Sequence, residues 1–372
     1  MIELRVLRVS SDIYPDVVGG LGVHVRELSR DQAKLGHKVR VLTSRHDSHA
    51  STWQTSDGFE IVRLPAPISV VGNSMPIGLG SYILSHRRRF DIIHAHSHLF
   101  YSTNITAALR KTGGPPLVIT NHGVKSTSVS RTMNDFFMRS IGRISLESAD
   151  LVLCYTDNDA KMLRELGIDK ERTRIIHNGV DIRKFRPDSD RTKPREIIWM
   201  GRMVEGKGLD CLVKTLIILK NESIDFHLTL IGDGPLQKSV RKSLHDLDLS
   251  DQVTIVSRVS QEEASNLIQE AAISVLPSIS EGMPRFLLES LSCGVPFVAT
   301  NLPQLVELSK GCGTTLPYGD HIGFANSIIA YLEDTERRIR DGVRGREKIV
   351  NNYDWNDTVA RIDDAYQDLL AR

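Results

Sequence analysis

Leu4-Arg-Val-Leu-Arg-Val9, then a polar turn closing on Gly19-Gly20, then Leu21, Val25, Leu28 and Leu35 at helical spacing, then His37-Lys-Val-Arg-Val-Leu-Thr43: this stretch decides the fold. The first and last segments read as strands and the middle as a helix with one apolar face. Gly36 stands where a helix C-cap needs a left-handed residue. Strand, helix and strand in that order form a βαβ unit, whose two strands run parallel.

The alternation continues outward from this unit. Phe90-Asp-Ile-Ile-His-Ala-His96, Pro116-Leu-Val-Ile-Thr120 and Asp150-Leu-Val-Leu-Cys-Tyr155 are further strand-like runs with helical patterns between them. A parallel sheet covered by helices on both faces is expected. Around Phe185-Arg-Pro187 to Lys193-Pro194 the chain turns polar and proline-bearing, so a domain boundary is expected there. The pattern then restarts with Glu196-Ile-Ile-Trp-Met200, a helix through Leu212 to Leu219, and strands at Phe226–Ile231, Val253–Val256 and Ile273–Leu276. Two α/β, Rossmann-like, doubly wound domains in tandem follow, and 372 residues suit two or three domains of about 150.

Composition narrows the class. Hydrophobic residues at 40% and charged residues at 25% are those of a globular protein. Cys154, Cys211, Cys293 and Cys312 form no CxxC pair, which argues against a zinc knuckle or a disulfide framework and for a reducing, cytoplasmic setting. Glu3, Arg5 and Arg8 interrupt the first apolar run, so it does not read as a signal segment, and no run approaches the ~18 apolar residues of a membrane span. Residues 1–185 carry a net +7 and the remainder −6. The basic run His86-Arg87-Arg88-Arg89 reads either as a patch for an anionic membrane or phosphorylated acceptor, or as a solvated surface. No feature of the sequence calls for nucleic acid.

The chemistry concentrates in Glu281-Gly-Met-Pro-Arg-Phe-Leu-Leu-Glu289, behind Gly201-Arg202 and Lys207-Gly208. Two cations suit the leaving phosphates of a sugar diphosphate, carboxylates suit hydroxyls, and a helix start turns N–H groups toward an anion. Glu289, set among Leu287, Leu288 and Leu291, would be a partly buried acid in need of polar partners. A dinucleotide-dependent oxidoreductase fits less well, since Gly19-Gly-Leu-Gly22 breaks the GxGxxG spacing. A non-catalytic binding or regulatory subunit on the same fold is the other alternative.

Gly201-Arg-Met-Val-Glu-Gly-Lys-Gly208, Ile231-Gly-Asp-Gly-Pro235 and the run from Pro277 to Thr300 closely resemble the retaining family 4 glycosyltransferases of the GT-B fold. Gly19-Gly20, Thr120-Asn-His122 and His177-Asn-Gly-Val-Asp181 match in the same order. The resemblance implies an acceptor-side domain over 1–187, a nucleotide-sugar domain over 188–352 across a cleft, and a last helix over about 353–372 crossing back to the first domain.

It also implies roles. Arg202 and Lys207 would hold the diphosphate, Glu289 the ribose and Glu281 the sugar end, with the backbone from Gly282 and Met283 through Arg285 and Phe286 as the anion-binding helix start; the Arg285 side chain either contacts the donor sugar or phosphate or faces solvent. Arg258 and Val259 would line the base pocket, Gly19 and Gly20 would approach the phosphates, and His122 would reach the transferred sugar. Asp12, Tyr14 and His96 are acceptor-side candidates. His94, His96 and His98 alternate along one strand, which invites a metal reading, but no carboxylate cluster completes a site and the resemblance implies no metal and no cofactor beyond a UDP- or GDP-linked sugar. The implied reaction moves a hexosyl group, GlcNAc, glucose or mannose, to a hydroxyl of a lipid-linked, phosphorylated or saccharide acceptor.

Overall fold

The computed structural model describes residues 2–17, 19–46, 50–70, 72–123 and 131–372. The chain forms two compact units, one of Met1–His177 with Thr358–Arg372 and one of Asn178–Asp357.

The first unit is built on an eight-stranded sheet. Its strands run in the order Thr173–Ile175, Leu151–Cys154, Leu117–Thr120, Ile92–His96, Arg5–Val9, Lys38–Arg45, Phe59–Pro65 and Trp53–Ser56. All neighbours are parallel except the last pair. The helix Gly20–Lys34 joins the first two strands in sequence, as the βαβ reading requires. Because it ends at Lys34, Leu35 leaves the apolar stripe and is 40% exposed, contrary to its sequence-based place on the buried face. Leu7, Val9, Leu42, Ile93, Ile119 and Val152 fill one core, each contributing roughly 1.5–3 kcal/mol by burial.

The polar residues of the first strand are absorbed differently. Arg5 pairs with Asp91 at 2.6 Å on the surface. Arg8 is wholly buried, and its guanidinium donates to Ser29 Oγ at 2.7 Å, Gln32 Oε1 at 2.5 Å and Tyr366 Oη at 3.4 Å. Tyr366 lies on the helix Trp355–Leu370, whose residues from Thr358 onward belong to this unit. His37 Nε2 meets Asp363 Oδ1 of that helix at 2.6 Å, both buried. The C-terminal segment is thus held by buried polar contacts as well as by its apolar face.

The second unit carries a six-stranded, wholly parallel sheet in the order Val253–Val256, His227–Ile231, Glu196–Met200, Ile273–Leu276, Phe297–Thr300 and Gly313–Leu316. Trp199, Leu216, Leu228, Val275, Val298, Phe324 and Tyr331 form its core. The division between units falls at His177–Asn178, ahead of the proline-bearing stretch expected to mark it at 187–188. Residues 178–187 are captured by the second unit: Val180 N donates to Tyr353 O at 2.9 Å, while Ser292 Oγ and Arg346 Nη1 donate to Phe185 O at 2.6 and 2.8 Å. Those bonds use backbone carbonyls, which side-chain composition does not reveal.

Both sheets are doubly wound. Strand order reverses between Arg5–Val9 and Ile92–His96 in the first, and between Glu196–Met200 and Ile273–Leu276 in the second. Ligands of open α/β sheets bind outside the carboxyl ends of strands at such switch points, so each unit has one predetermined place for a site. Among the described residues no helix is long and apolar enough to cross a membrane.

Candidate active site

In the second unit the two loops leaving the switch-point strands are 201–208 and 277–284. Backbone contact clamps them together: Ile279 N donates to Gly206 O at 2.8 Å, and a Cβ on Gly208, whose φ is 72°, would stand 1.8 Å from Pro277 O. The Ile231-Gly-Asp-Gly-Pro235 motif has a similar cause. Met203 N donates to Asp233 O at 2.7 Å, and a Cβ on Gly232 would lie 1.9 Å from Gly201 O. The glycines let three loops stack without side chains between them.

That stacking brings Lys207 Nζ to 2.7 Å from Glu281 Oε1, with both side chains largely withdrawn from solvent. Gln304 Nε2 donates to Glu281 O at 2.6 Å and fixes the same turn. Arg202 is exposed on the first loop, and among the described residues no acid pairs with it. Arg258 pairs with Asp233 at 2.8 Å, so it borders the glycine-rich loops, and Val259 beside it is half-buried. Half-buried Gly282 and buried Met283 lead into the helix Arg285–Ser292, which has no side-chain N-cap, so its first N–H groups are available to an anion.

Glu289 is buried on this helix, as its apolar neighbours suggest. It pairs with Arg285, whose Nε lies 3.5 Å from Glu289 Oε1 and whose guanidinium carbon sits 5.7 Å from the centre of the Trp355 ring. A buried acid is balanced here by a buried cation one helical turn away. Phe286 is buried beside it.

In the first unit the site is a cluster of rings. His122 follows the strand Leu117–Thr120, and its Nε2 lies 3.0 Å from His96 Nδ1 while its Nδ1 lies 2.8 Å from Tyr155 Oη. The His24 ring, from the helix Gly20–Lys34, stands edge-on to His122 with centroids 5.0 Å apart. Tyr155 and His24 carry no sequence signal of their own, since they come from elements far apart in the chain. His96 is sealed from solvent, and its Nδ1 sets the ring of His122.

The other histidines of the alternating run are occupied elsewhere. His94 Nδ1 and Nε2 meet Tyr366 Oη and Thr120 Oγ1 at 2.5 and 2.7 Å. His98 lies past the strand end, beyond Ser97 at φ 62°, and its Nε2 contacts Met138 Sδ at 3.1 Å. Burial pushes the His94 and His96 imidazoles well below their ordinary value; nearby Arg8 adds to this for His94, and His94 for His96.

Gly19 precedes the helix at φ 169°, an extended conformation open to any residue, and Gly20 is the first helical residue. The glycine demanded by packing is Gly22, where a Cβ would meet Val17 O at 2.8 Å. Asp12 Oδ1 lies 3.4 Å from His46 Nε2 and raises that imidazole above its ordinary value. Tyr14 is half-buried, with its carbonyl accepting from Arg26 Nη1 at 3.1 Å. In the basic run, Arg87 donates to Thr112 Oγ1 and Gly113 O at 2.7 and 2.6 Å, beyond the end of the helix Tyr101–Arg110, which leaves Arg88 and Arg89 exposed. All four cysteines are buried free thiols, and burial pushes Cys154 and Cys293 up to about 12, which makes them unsuited to nucleophilic work.

Comparison with known proteins follows the same division. Residues 18–184 match the family Glycosyltransferase Family 4, and residues 181–348 match Glycosyl transferases group 1. The chain is 25% identical to the glycogen synthase of Mycobacterium tuberculosis, over 96% of this chain and 92% of the relative. It is also 25% identical to the GDP-mannose:cellobiosyl-diphosphopolyprenol alpha-mannosyltransferase of Xanthomonas oryzae pv. oryzae, over 99% and 97%. Among solved structures, a sucrose-phosphate synthase from Thermosynechococcus elongatus superposes with a TM-score of 0.87 at 22% identity, covering 99% of this chain and all of that one. The fold is therefore GT-B, built of two Rossmann-like units.

Proposed function

Since the chain belongs to the family 4 glycosyltransferases and so transfers a glycosyl group from a nucleotide sugar, we propose that its second unit holds a nucleoside diphosphate hexose through the paired loops at the sheet's switch point. The observation that carries this reading is the Lys207–Glu281 contact at 2.7 Å, on loops from adjacent parallel strands and just ahead of an uncapped helix start.

In this reading Lys207 and Arg202 take the diphosphate and stabilise the charge that builds as it departs. Glu289, steadied by Arg285, accepts the ribose hydroxyls, Glu281 meets the sugar end, and Arg258 and Val259 border the base. His122 contacts the transferred sugar, with Tyr155 and His96 setting its ring. Asp12 and Tyr14 belong to the acceptor side. The positive charge needed at the phosphates comes from side chains, so the proposed transfer asks for no metal.

The acceptor hydroxyl oxygen bonds to the anomeric carbon as the bond from that carbon to the phosphate oxygen breaks. The electron pair leaves with the nucleoside diphosphate, and a phosphate oxygen of the donor takes the hydroxyl proton. Attack on the face the phosphate leaves retains configuration, and catalysis rests on positioning and leaving-group stabilisation. The acceptor is a lipid-linked, phosphorylated or saccharide hydroxyl. Exposed Arg88 and Arg89 support contact with an anionic membrane surface, and four buried free thiols fit a cytoplasmic location.

A thermal-shift panel of UDP- and GDP-sugars tests the donor reading, because a ligand at 100 times its Kd stabilises the folded state by about 2.7 kcal/mol. One donor is expected to raise Tm well above the others. The anomeric configuration of the product, read by proton NMR, then tests retention: inversion would overturn it, and no shift with any nucleotide sugar would overturn the donor site.

A further inference from the structure

The ring cluster of the first unit holds more nitrogen than a sugar contact requires. His24, His96 and His122 each bring one ring nitrogen within 4.8 Å of the other two. They come from the helix Gly20–Lys34 and from the carboxyl ends of two adjacent parallel strands, so the sheet itself fixes their spacing. His24 and His96 are buried and His122 is half-buried, which leaves one side of the group accessible.

A second observation points to a ligand. His96 Nε2 is inaccessible to solvent and has no hydrogen-bond partner among the described residues, and neither does either side-chain amide atom of buried Asn121 next to His122. An unsatisfied buried polar group is costly, and His96 and Asn121 carry three such atoms between them. His94, one step along the same strand, shows the ordinary outcome, with both nitrogens bonded.

We propose that His24, His96 and His122 form a binding site for a borderline-soft divalent ion, Zn2+ or Co2+. Bonds of about 2.0–2.1 Å in tetrahedral array put ligand nitrogens roughly 3.4 Å apart, so small ring movements from the observed spacing suffice. Imidazole alone, without carboxylate or carbonyl oxygen, selects such ions over Mg2+ or Ca2+. Tyr155 Oη, at 2.8 Å from His122 Nδ1, is the kind of outer partner that orients a ligating ring.

An ion held there engages His122, so it inhibits transfer and is no cofactor. This consequence rests on the proposed contact of His122 with the sugar; the metal site itself does not. The test titrates untagged, full-length protein with Co2+ and follows the visible d–d absorption of four-coordinate cobalt, with circular dichroism as the folding control. The wild type is expected to give the bands, and His24→Asn and His96→Gln to lose them. Zn2+ should inhibit wild-type transfer reversibly, with EDTA restoring activity, and His24→Asn should need more than about tenfold more Zn2+ for the same inhibition. Absent bands, or bands that survive both substitutions, would overturn the site. Bands without Zn2+ inhibition would keep the site and overturn the contact of His122 with the sugar.

Discussion

Lys207 and Glu281 meet at 2.7 Å across 74 residues of chain because their loops leave neighbouring parallel strands and are locked together at Gly208 and Pro277. If Lys207 carries the leaving phosphates, Lys207→Ala should lower kcat/KM by roughly two to three powers of ten, or about 3 kcal/mol, as loss of one preorganised donor does elsewhere. Arg202→Ala should act in the same direction. Steady-state kinetics with unchanged circular dichroism is the check, and near-normal turnover in both variants would remove them from the mechanism.

Gly208→Ala separates packing from backbone strain. Its Cβ would collide with a main-chain oxygen at 1.8 Å and also sit at φ 72°, so the loss of stability should exceed the roughly 1–2 kcal/mol of left-handed strain alone. Gly78, at φ 81° with nothing within 4 Å of a Cβ, supplies the comparison, and Gly78→Ala should show only that strain. Urea denaturation of the two variants measures the difference.

Arg285 and Glu289 are both about 8% exposed, so removing one member takes charge compensation away from the other where solvent does not replace it. Arg285→Ala should destabilise by about 3 kcal/mol, and Arg285→Ala with Glu289→Ala should recover part of that loss. A double-mutant cycle in denaturant gives the coupling, and strict additivity would contradict the pairing.

Tyr155→Phe removes a single hydroxyl from His122 Nδ1. Since Tyr155 acts through the ring it orients, kcat should fall about tenfold or more while the affinity for the free nucleoside diphosphate stays the same. Calorimetry alongside kinetics tells the two effects apart.

Stability should depend on pH with a definite sign. The unfolded chain binds protons below about 6.5 that buried His94 and His96, with their lowered values, refuse. The unfolded state therefore binds more protons, and stability falls as pH drops below 6.5, by about 1.4 kcal/mol per pH unit for each ring until the folded imidazoles protonate. His46 works the other way. Raised by Asp12, its contribution is fully present below 6.5 and is lost as pH rises through its folded value. With two rings against one, Tm should be lower at pH 5 than at pH 7, and His94→Gln should flatten the slope.

The fold was legible because hydrophobic alternation and glycine placement record backbone demands directly. The strand and helix runs around Gly36, and the glycines of Ile231-Gly-Asp-Gly-Pro235, each answer to a φ or a contact found in the structure. Glu289 was legible as a buried acid for a similar reason, its leucine neighbours. Arg285 was not, since a charged residue in the first turn of a helix ordinarily faces water, whereas here it lies against the Trp355 ring and Glu289. Gly19-Gly20 drew attention as a pair, yet Gly22 bears the packing constraint. His24 and Tyr155 join His122 only through the parallel register of the sheet and the helix laid on it, which no local pattern reports.

If the Lys207–Glu281 loops and the helix behind them bind the nucleoside diphosphate, their side chains set its affinity. Isothermal calorimetry of UDP and GDP against wild type, Lys207→Ala, Arg202→Ala and Glu289→Gln tests it most directly. One diphosphate should bind the wild type, and each substitution should weaken it by at least about tenfold, or 1.4 kcal/mol. Equal affinity in the wild type and all three variants would contradict it.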